Sequence, residues 1–315
     1  MSADASSVSP SSTLRFDGRV AIVTGAGGGL GRSHALQLAA RGAKVLVNDL
    51  GAARDGSVPG VAGESAADKV VAEIRAAGGE ALANTGSVTD PVAVQAMVDQ
   101  AMAAWGRVDI LVNNAGILRD KSFSKMSLDD FRLLVDVHLM GAVYGTKAVW
   151  EIMKAQQYGR IIFTTSSSGL FGNFGQANYG AAKMALVGLM QTLSIEGEKN
   201  NVRVNCLAPT AATRMTEDLM PPDVLALLTP ESVTPALLLL ASEQAPTRTT
   251  LCAGAGVFAA AHVTLTQGVL IGSGADAPEQ LAARLDEVRA REGEAVPASG
   301  MAQSQQEMSR VLAAR

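Results

Sequence analysis

Tyr179 and Lys183 lie four residues apart in NYGAAKMALVGL, residues 178–189, a segment with no other charged residue. On a helix both side chains would point in the same direction, about one turn apart. A tyrosine beside a lysine can move protons, because a neighbouring ammonium group favours the tyrosinate form. The alternative is a buried tyrosine next to a lysine whose stem covers apolar surface. The other motifs of the chain decide between the two interpretations.

A serine with suitable chemistry precedes this pair. In FTTSSSGLFGNFGQANYGAAK, Ser166 stands 13 residues before Tyr179. The apolar run GRIIFTTSS predicts a buried strand, so Ser166 would lie at the strand end and could orient a reacting oxygen. Ser167 and Ser168 are rivals, since serines at a strand exit often only satisfy backbone groups.

A glycine-rich loop, TGAGGGLGR at residues 24–32, follows the apolar run RVAIVTG and precedes a helical pattern. Its spacing fits TGxxxGxG through Gly25, Gly29 and Gly31, whereas GxGxxG would require glycine at Leu30. Glycines allow a tight turn and let backbone N–H groups approach a pyrophosphate at the helix N-terminus. We therefore expect residues 24–32, with Leu30 among them, to bind a dinucleotide.

The next apolar run ends in VNDLG, which places Asp49 18 residues after Gly31. A carboxylate at this point can accept hydrogen bonds from the adenosine ribose and would repel a 2′-phosphate. No Arg or Lys stands just before Gly29 or just after Asp49. The pattern favours NAD over NADP as the cofactor; the alternative role for Asp49 is that of a turn residue.

Composition narrows the classes of protein and partner. The 315 residues are 48% hydrophobic and 18% charged, which is typical of a compact globular protein. A net charge of -4 gives no electrostatic case for nucleic acid or an anionic membrane. Cys206 and Cys252 form no CxxC pair and indicate reduced thiols in a cytoplasmic protein, and the scattered histidines predict no metal site. Residues 249–275 lack charges but are rich in Gly and Thr, so we expect no membrane span.

Short apolar runs alternate with amphipathic stretches along the chain. This alternation predicts an α/β fold, a doubly wound parallel sheet of the Rossmann type with helices on both faces. We expect a flexible tail at 1–14, one domain at 15–275 and a helical C-terminal tail at 276–315. The predicted strands are RVAIVTG, KVLVND, VDILVNNAG, GRIIFTTSS, VRVNCLAP and GVFAAA, and the predicted helices are 30–41, 64–77, 90–105, 127–154 and 177–198.

Together, TGxxxGxG, NNAG at residues 113–116, and Ser166, Tyr179 and Lys183 resemble the short-chain dehydrogenase/reductase family over about residues 15–275. The resemblance implies that the serine positions substrate and the tyrosine transfers the proton. The lysine lowers the pKa of the tyrosine and holds the nicotinamide ribose. The NNAG residues, Asn113, Asn114, Ala115 and Gly116, would support the central strand and contact the cofactor. Members commonly assemble through the helices at 127–154 and 177–198, so we expect a homodimer, with a tetramer as the alternative.

A closer similarity is to the (3R)-hydroxyacyl-CoA dehydrogenase part of peroxisomal multifunctional β-oxidation enzymes. It lies in LRFDGRVAIVTGAGGGLGR, VNDLG, NNAGILRDKSF, YGRIIFTTSSSGLFGNFGQANYGAAK and APTAATRMTE. It implies NAD-dependent oxidation of a (3R)-hydroxyacyl-CoA to the 3-oxoacyl-CoA. The alternatives are a hydroxysteroid or steroid-side-chain CoA dehydrogenase and a noncatalytic NAD-binding sensor. The terminal VLAAR is not an SKL-type address, which favours a free-standing cytoplasmic enzyme.

Some positions depart from the pattern of the family. His138 stands where many members have an asparagine that holds a proton-relay water; it could serve that relay or be an ordinary helix residue. Ser87 and Val88 replace an aspartate that commonly contacts adenine. Ala211 and Thr213 would lie near the nicotinamide carboxamide.

Two groups of residues have candidate roles at the substrate. Residues 216–228 are expected to form a mobile cover. The basic residues of ILRDKSFSK could meet CoA phosphates or be solvated, and several apolar residues could line an acyl channel or simply pack. The basic residues are Arg119, Lys121 and Lys125, and the apolar ones are Met215, Leu219, Met220 and Leu225.

Overall fold

A computed structural model describes residues 13–57, 63–212 and 221–314 of the chain. Two compact units make up the structure, divided between Ala260 and Ala261. The first unit carries the sheet and all the described candidate site residues. The second unit begins before the predicted boundary at residue 276.

The first unit is built on an eight-stranded sheet with the order β3-β2-β1-β4-β5-β6-β7-β8. Neighbouring strands from β3 to β7 pair in parallel. β1, β4 and β5 are buried along their whole length, as strands covered on both faces must be. The strands are Val20–Thr24 (β1), Lys44–Asn48 (β2), Ala81–Asn84 (β3), Ile110–Asn113 (β4), Gly159–Thr164 (β5), Val202–Thr210 (β6), Thr250–Gly254 (β7) and Val257–Ala261 (β8).

Helices cover both faces of the sheet. Apolar residues of the sheet pack with α1, α2 and α9 in one core cluster, and with α3, α5 and α7 in a second. The predicted doubly wound fold is therefore confirmed. The helices of this unit are Gly29–Ala40 (α1), Ala66–Ala76 (α2), Pro91–Trp105 (α3), Leu128–Val135 (α4), Gly141–Gln156 (α5), Ser167–Phe171 (α6), Ala177–Gly197 (α7), Pro222–Leu227 (α8) and Pro230–Ala241 (α9).

The sequence patterns missed two strands, the helices α6, α8 and α9, and one irregular turn. β3, with the sequence ALAN, is short and has no β-branched residue, so its pattern is weak. β7 turns into β8 through Ala255 and Gly256, both with positive φ, a geometry typical of a two-residue hairpin. The predicted helix at 127–154 contains a π-helical turn at Asp136–Met140 between α4 and α5. Such turns occur frequently at functional sites.

The second unit contains three short helices, Ala277–Ala283 (α10), Leu285–Arg289 (α11) and Met301–Ala313 (α12). None of these helices has a buried residue. An antiparallel bridge joins Leu265 to Ala295 within the unit. Its helical character agrees with the predicted helical tail. Across the described part of the chain, no helix combines the length and apolar character needed to span a bilayer.

At the amino edge of the sheet, the carboxylate of Asp109 is fully buried just before β4. It accepts hydrogen bonds from the backbone N–H of Val20 at 2.9 Å and from the guanidinium groups of Arg19 and Arg107. This carboxylate therefore ties β1 to β4, the two strands at the centre of the fold.

We predict that Asp109→Ala lowers the free energy of unfolding by about 3 kcal/mol, because it leaves buried donors without their acceptor. The measurement is urea unfolding. Asp17→Ala, which removes an exposed carboxylate paired with Arg15, is the control and should leave the unfolding midpoint nearly unchanged. A loss below about 1 kcal/mol for Asp109→Ala would contradict this role.

Candidate active site

The predicted site residues follow the carboxyl ends of successive parallel strands. β1 runs into the glycine loop, β2 into Asp49 and β4 into the NNAG segment. Ser166 follows β5, and Ala211 follows β6. In an open α/β sheet this edge is where ligands bind. The fold therefore collects the motifs in one region although they are distant in sequence.

The glycine loop needs its missing side chains. Gly25 and Gly29 have positive φ angles of 63° and 50°. A Cβ atom on Gly31 would lie 2.2 Å from the carbonyl oxygen of Gly25, which is a direct clash. Gly28 precedes α1 without a capping side chain, and the side chain of Leu30 packs against the core. The first backbone N–H groups of α1 thus fit a pyrophosphate.

Asp49 faces this loop. One carboxylate oxygen accepts a hydrogen bond from the backbone N–H of Gly27 at 2.8 Å, and the other accepts one from Gly51 at 2.7 Å. These two bonds fix the orientation of the carboxylate and leave further acceptor capacity on each oxygen. Its position beside the loop suits contact with the adenosine ribose of a dinucleotide.

The NNAG segment joins the glycine loop to the end of β4 by hydrogen bonds. The side-chain amide of Asn114 donates to the carbonyls of Thr24 and Gly25, at 3.0 and 3.1 Å. The hydroxyl of Thr24 accepts hydrogen bonds from the backbone N–H groups of Asn114 and Ala115. Asn113 is buried and lies 3.5 Å from the hydroxyl of Thr146. These contacts support the predicted structural role of the segment.

The remaining predicted cofactor residues lie along the same edge. Ser87 makes a hydroxyl contact of 2.8 Å with Thr89, and Val88 packs against the start of α5 at Gly141. Ala211 is buried directly after β6. Thr213, a predicted cofactor residue, lies outside the described residues. So do three residues of the predicted acyl channel, Met215, Leu219 and Met220, and residues 216–220 of the expected cover.

Ser166, Tyr179 and Lys183 come together, since β5 ends at Thr164 and α7 returns along it. The Ser166 hydroxyl lies close enough to the phenol of Tyr179 to lower the pKa of the tyrosine. The ammonium group of Lys183 lies 5.5 Å from the centre of the Tyr179 ring. The hydroxyl of Ser168 is directed to Gln176 instead. The structure thus places Ser166, rather than Ser168, next to the tyrosine.

Lys183 is 3% exposed, and its ammonium group donates to the carbonyl oxygen of Thr164 at 2.6 Å. Burial lowers the pKa of Lys183 to about 7. Burial raises the pKa of Tyr179 above its ordinary value, while the Ser166 hydroxyl lowers it and the charge of Asp120 raises it. Without a bound cation, burial therefore favours the neutral phenol of Tyr179 and the neutral amine of Lys183.

His138 lies on the π-helical turn, with its ring edge-on to Tyr179 at 5.2 Å between centroids. Nε2 lies 2.8 Å from the carbonyl oxygen of Ile117 and 3.2 Å from its backbone N–H, so this nitrogen can donate to the one or accept from the other, according to the tautomer. Nδ1 is buried and has no partner within the described residues. Burial, with the nearby charge of Lys183, holds the pKa of His138 well below its usual range. A Cβ on Gly116 would lie 2.4 Å from this ring, so the NNAG glycine makes room for it.

The basic residues with a candidate role at CoA are partly engaged elsewhere. Arg119 donates to the carboxylate of Asp130 at 2.8 Å and to the carbonyl of Asp55 at 2.8 Å. Lys121 lies 3.4 Å from the same Asp130 carboxylate. These contacts hold the pKa of Asp130 down, at about 2. Arg119 therefore braces the loop after β2 against α4, and Lys121 adds a second contact to Asp130.

The sequence patterns missed two residues that organise the site. Gln176 and Asn178 are buried at the start of α7 and hydrogen-bond to Asp120 and to the backbone of Arg119. Their signal in the sequence was two amides just before Tyr179 in an otherwise small and apolar segment.

We predict that the cofactor-free protein becomes more stable as pH rises from 7.5 to 8.5. Burial holds the pKa of Lys183 near 7, against 10.5 for an ordinary lysine, so in this window the unfolded chain binds one more proton than the folded protein. The free energy of unfolding should therefore rise by up to about 1.4 kcal/mol per pH unit. Urea unfolding of wild type and Lys183→Met measures this contribution. Equal slopes for the two proteins would contradict it.

Known proteins are similar to this chain in sequence and in fold. Residues 19–223 match the short chain dehydrogenase family. The mouse peroxisomal multifunctional enzyme type 2 is 55% identical over 233 residues, which are 74% of this chain but 31% of that enzyme. The full-length Drosophila melanogaster enzyme of the same name matches with a TM-score of 0.77 and 39% identity, over 95% of this chain and 50% of that one.

A 7α-hydroxysteroid dehydrogenase solved with NADH and 7-oxo glycochenodeoxycholic acid matches with a TM-score of 0.68 and 30% identity. The match covers 77% of this chain and 95% of that one. The present chain thus spans a third to a half of the multifunctional enzymes and most of the single-domain one. A glycine loop fitted to a dinucleotide and the grouping of Ser166, Tyr179 and Lys183 agree with these matches. The chain belongs to the short-chain dehydrogenase family and is an oxidoreductase that uses a nicotinamide cofactor.

Proposed function

We propose that this protein oxidises the 3-hydroxyl group of a (3R)-hydroxyacyl-CoA to a ketone, with NAD as the hydride acceptor. The observation that carries the proposal is the joining of Ser166, Tyr179 and Lys183 beside a dinucleotide loop. Support for the acyl-CoA substrate comes from the motifs shared with multifunctional β-oxidation enzymes and from the 55% identity to the mouse enzyme.

In this mechanism Tyr179 takes the proton of the substrate hydroxyl as the carbon–oxygen bond becomes a carbonyl. The cofactor, when bound, would accept the hydride from carbon 3. Ser166 donates a hydrogen bond to the reacting oxygen and so orients it toward Tyr179. The positive charge of Lys183 favours the tyrosinate and opposes the effect of burial on the tyrosine pKa. Lys183 would also hold the nicotinamide ribose.

We further propose that His138 serves the proton path. Its Nδ1 is a buried ring nitrogen without a partner in the described part of the chain, and such a polar atom can bind a water molecule in either tautomer. The ring lies against Tyr179, so a water at this nitrogen would stand near Lys183 and the phenol. The alternative is a histidine that only packs between Gly116 and Tyr179.

Two other functions stay open to experiment. A steroid alcohol is favoured by the match to the 7α-hydroxysteroid dehydrogenase, and a noncatalytic sensor by the cofactor loop alone. Initial rates with (3R)- and (3S)-hydroxyacyl-CoAs of several chain lengths, with free hydroxysteroids alongside, separate these readings. We expect turnover of the (3R)-thioesters. Turnover of steroids alone, or of no secondary alcohol, would reject the proposed substrate.

We propose a homodimer in a cytoplasmic setting as the working form of the enzyme. The exposed apolar side chains of Met184 and Ile195 on α7, 39% and 47% accessible, are consistent with a further subunit on this helix. Sedimentation equilibrium measures the assembly, and cell fractionation measures the location.

We predict that Tyr179→Phe lowers kcat by a factor of about 10² to 10⁴, the usual contribution of a positioned acid–base group. Binding of NADH, followed by fluorescence titration, should change less than about threefold, because the glycine loop and Asp49 are untouched. Tyr144→Phe is the control, since this tyrosine packs against the core cluster of α3, α5 and α7. Unchanged turnover in Tyr179→Phe would refute the assigned role.

We predict that Asp49→Ala weakens NAD binding about tenfold or more, since a hydrogen bond to a charged group contributes about 1.5–3 kcal/mol. NADP binding should weaken less or improve, because a charge that repels its 2′-phosphate is removed. Asp55→Ala, in the same loop but bonded to Ser57, is the matched control. A larger loss for NADP than for NAD would overturn the proposed cofactor preference.

A further inference from the structure

One buried amide connects the two segments that carry the catalytic side chains. Gln176, 8% exposed, immediately precedes α7. Its side-chain oxygen accepts hydrogen bonds from the hydroxyl of Ser168 at 2.7 Å and from the amide of Asn173 at 3.1 Å. Its side-chain nitrogen donates to the carboxylate of Asp120 at 2.7 Å. Ser168 lies in α6, while Asn173 and Asp120 lie on loops.

These contacts stand within one turn of the reacting groups. Ser166 lies two residues before Ser168, and its hydroxyl accepts a hydrogen bond from the backbone N–H of that residue at 3.2 Å. Tyr179 lies three residues after Gln176, in the first turn of α7. A shift of the Gln176 side chain would therefore move the serine segment relative to the tyrosine.

The segment after β4 supplies the fixed side of this arrangement. The backbone N–H of Lys121 donates to the carbonyl of Gly175 at 2.9 Å, and Asn178 donates to the carbonyl of Arg119 at 3.1 Å. The guanidinium of Arg119 is itself held by Asp130. Asp120 thus belongs to a braced segment, although the residue itself lies at the exposed rim.

We propose that Gln176 is a positioning residue, which holds the Ser166 and Tyr179 hydroxyls at their working separation by bonding Ser168 and Asp120 at the same time. The inference rests on the proposed function of that pair. A glutamine suits the position because its oxygen meets two donors and its nitrogen meets a carboxylate. A glutamate there would keep the first two bonds and place its second oxygen against Asp120.

An exchange of the two partners tests this role. Gln176→Glu sets two carboxylates at hydrogen-bond distance, so kcat should fall at least tenfold while KM for NAD changes less than twofold. In the double variant Gln176→Glu with Asp120→Asn, the asparagine nitrogen can donate to the glutamate, and kcat should return to within about threefold of wild type. Asp120→Asn alone keeps an acceptor for Gln176 and should lose little.

Hydrogen exchange over residues 166–180 gives a readout that is independent of the substrate. Exchange should be faster in Gln176→Glu and return toward wild type in the double variant. Gln157→Glu, the same change at an exposed site, is the control and should affect neither measurement. Absence of activity in wild type with every alcohol would reject the proposed function, while the exchange data would still test the contacts.

Two results would overturn the inference. One is wild-type kcat in Gln176→Glu. The other is a loss in Gln176→Glu that Asp120→Asn does not restore, since a residue needed only for its size or for general stability would give no rescue.

Discussion

The burial of the Lys183 ammonium group is the constraint on which the site depends. Desolvation lowers the pKa of this lysine and raises that of the adjacent Tyr179, so both groups are driven toward their neutral forms. The proton transfer that we propose requires the opposite, a charged lysine and an acidic phenol. The carbonyl of Thr164 stabilises the ammonium group, and the Ser166 hydroxyl lowers the pKa of Tyr179. A cationic nicotinamide ring would add to the same effect.

The parallel sheet supplies the geometry that these opposed tendencies require. β5 ends at Thr164, whose carbonyl oxygen accepts a hydrogen bond from the Lys183 ammonium group. Ser166 follows two residues later. The segment after β4 lies between the cofactor loop and the catalytic helix. It binds the glycine loop through Asn114 and the start of α7 through Asp120. Because this one segment contacts both, the glycine loop and the helix that carries Tyr179 are held by the same stretch of backbone.

Most of the fold could be predicted from sequence because most of its strands are continuous apolar runs that alternate with longer helical segments. The glycine loop, Asp49 and the serine, tyrosine and lysine were proposed from local spacing. β3 and β7 were not predicted, because ALAN has little β propensity and TLCAG lies in an uncharged stretch without a clear period.

The contacts that position the site were not predictable in the same way. Asp120 and Gln176 lie 56 residues apart, and no periodic pattern relates them. The choice between Ser166 and Ser168 also needed the structure, since it depends on which hydroxyl Gln176 engages. Arg119 and Lys121, which the sequence offered for CoA phosphates, contact Asp130, an ion pair that only the packing of α4 reveals.

The most direct test of this account is the ionisation of Tyr179, measured by the phenolate absorbance of wild type minus that of Tyr179→Phe. In the cofactor-free protein the pKa of Tyr179 should lie above its ordinary value of 10.0, as burial requires. With oxidised dinucleotide bound it should fall below that of the cofactor-free protein, and Lys183→Met should prevent most of the fall. A tyrosine whose ionisation is the same with and without dinucleotide, or with and without the lysine, would contradict the central claim.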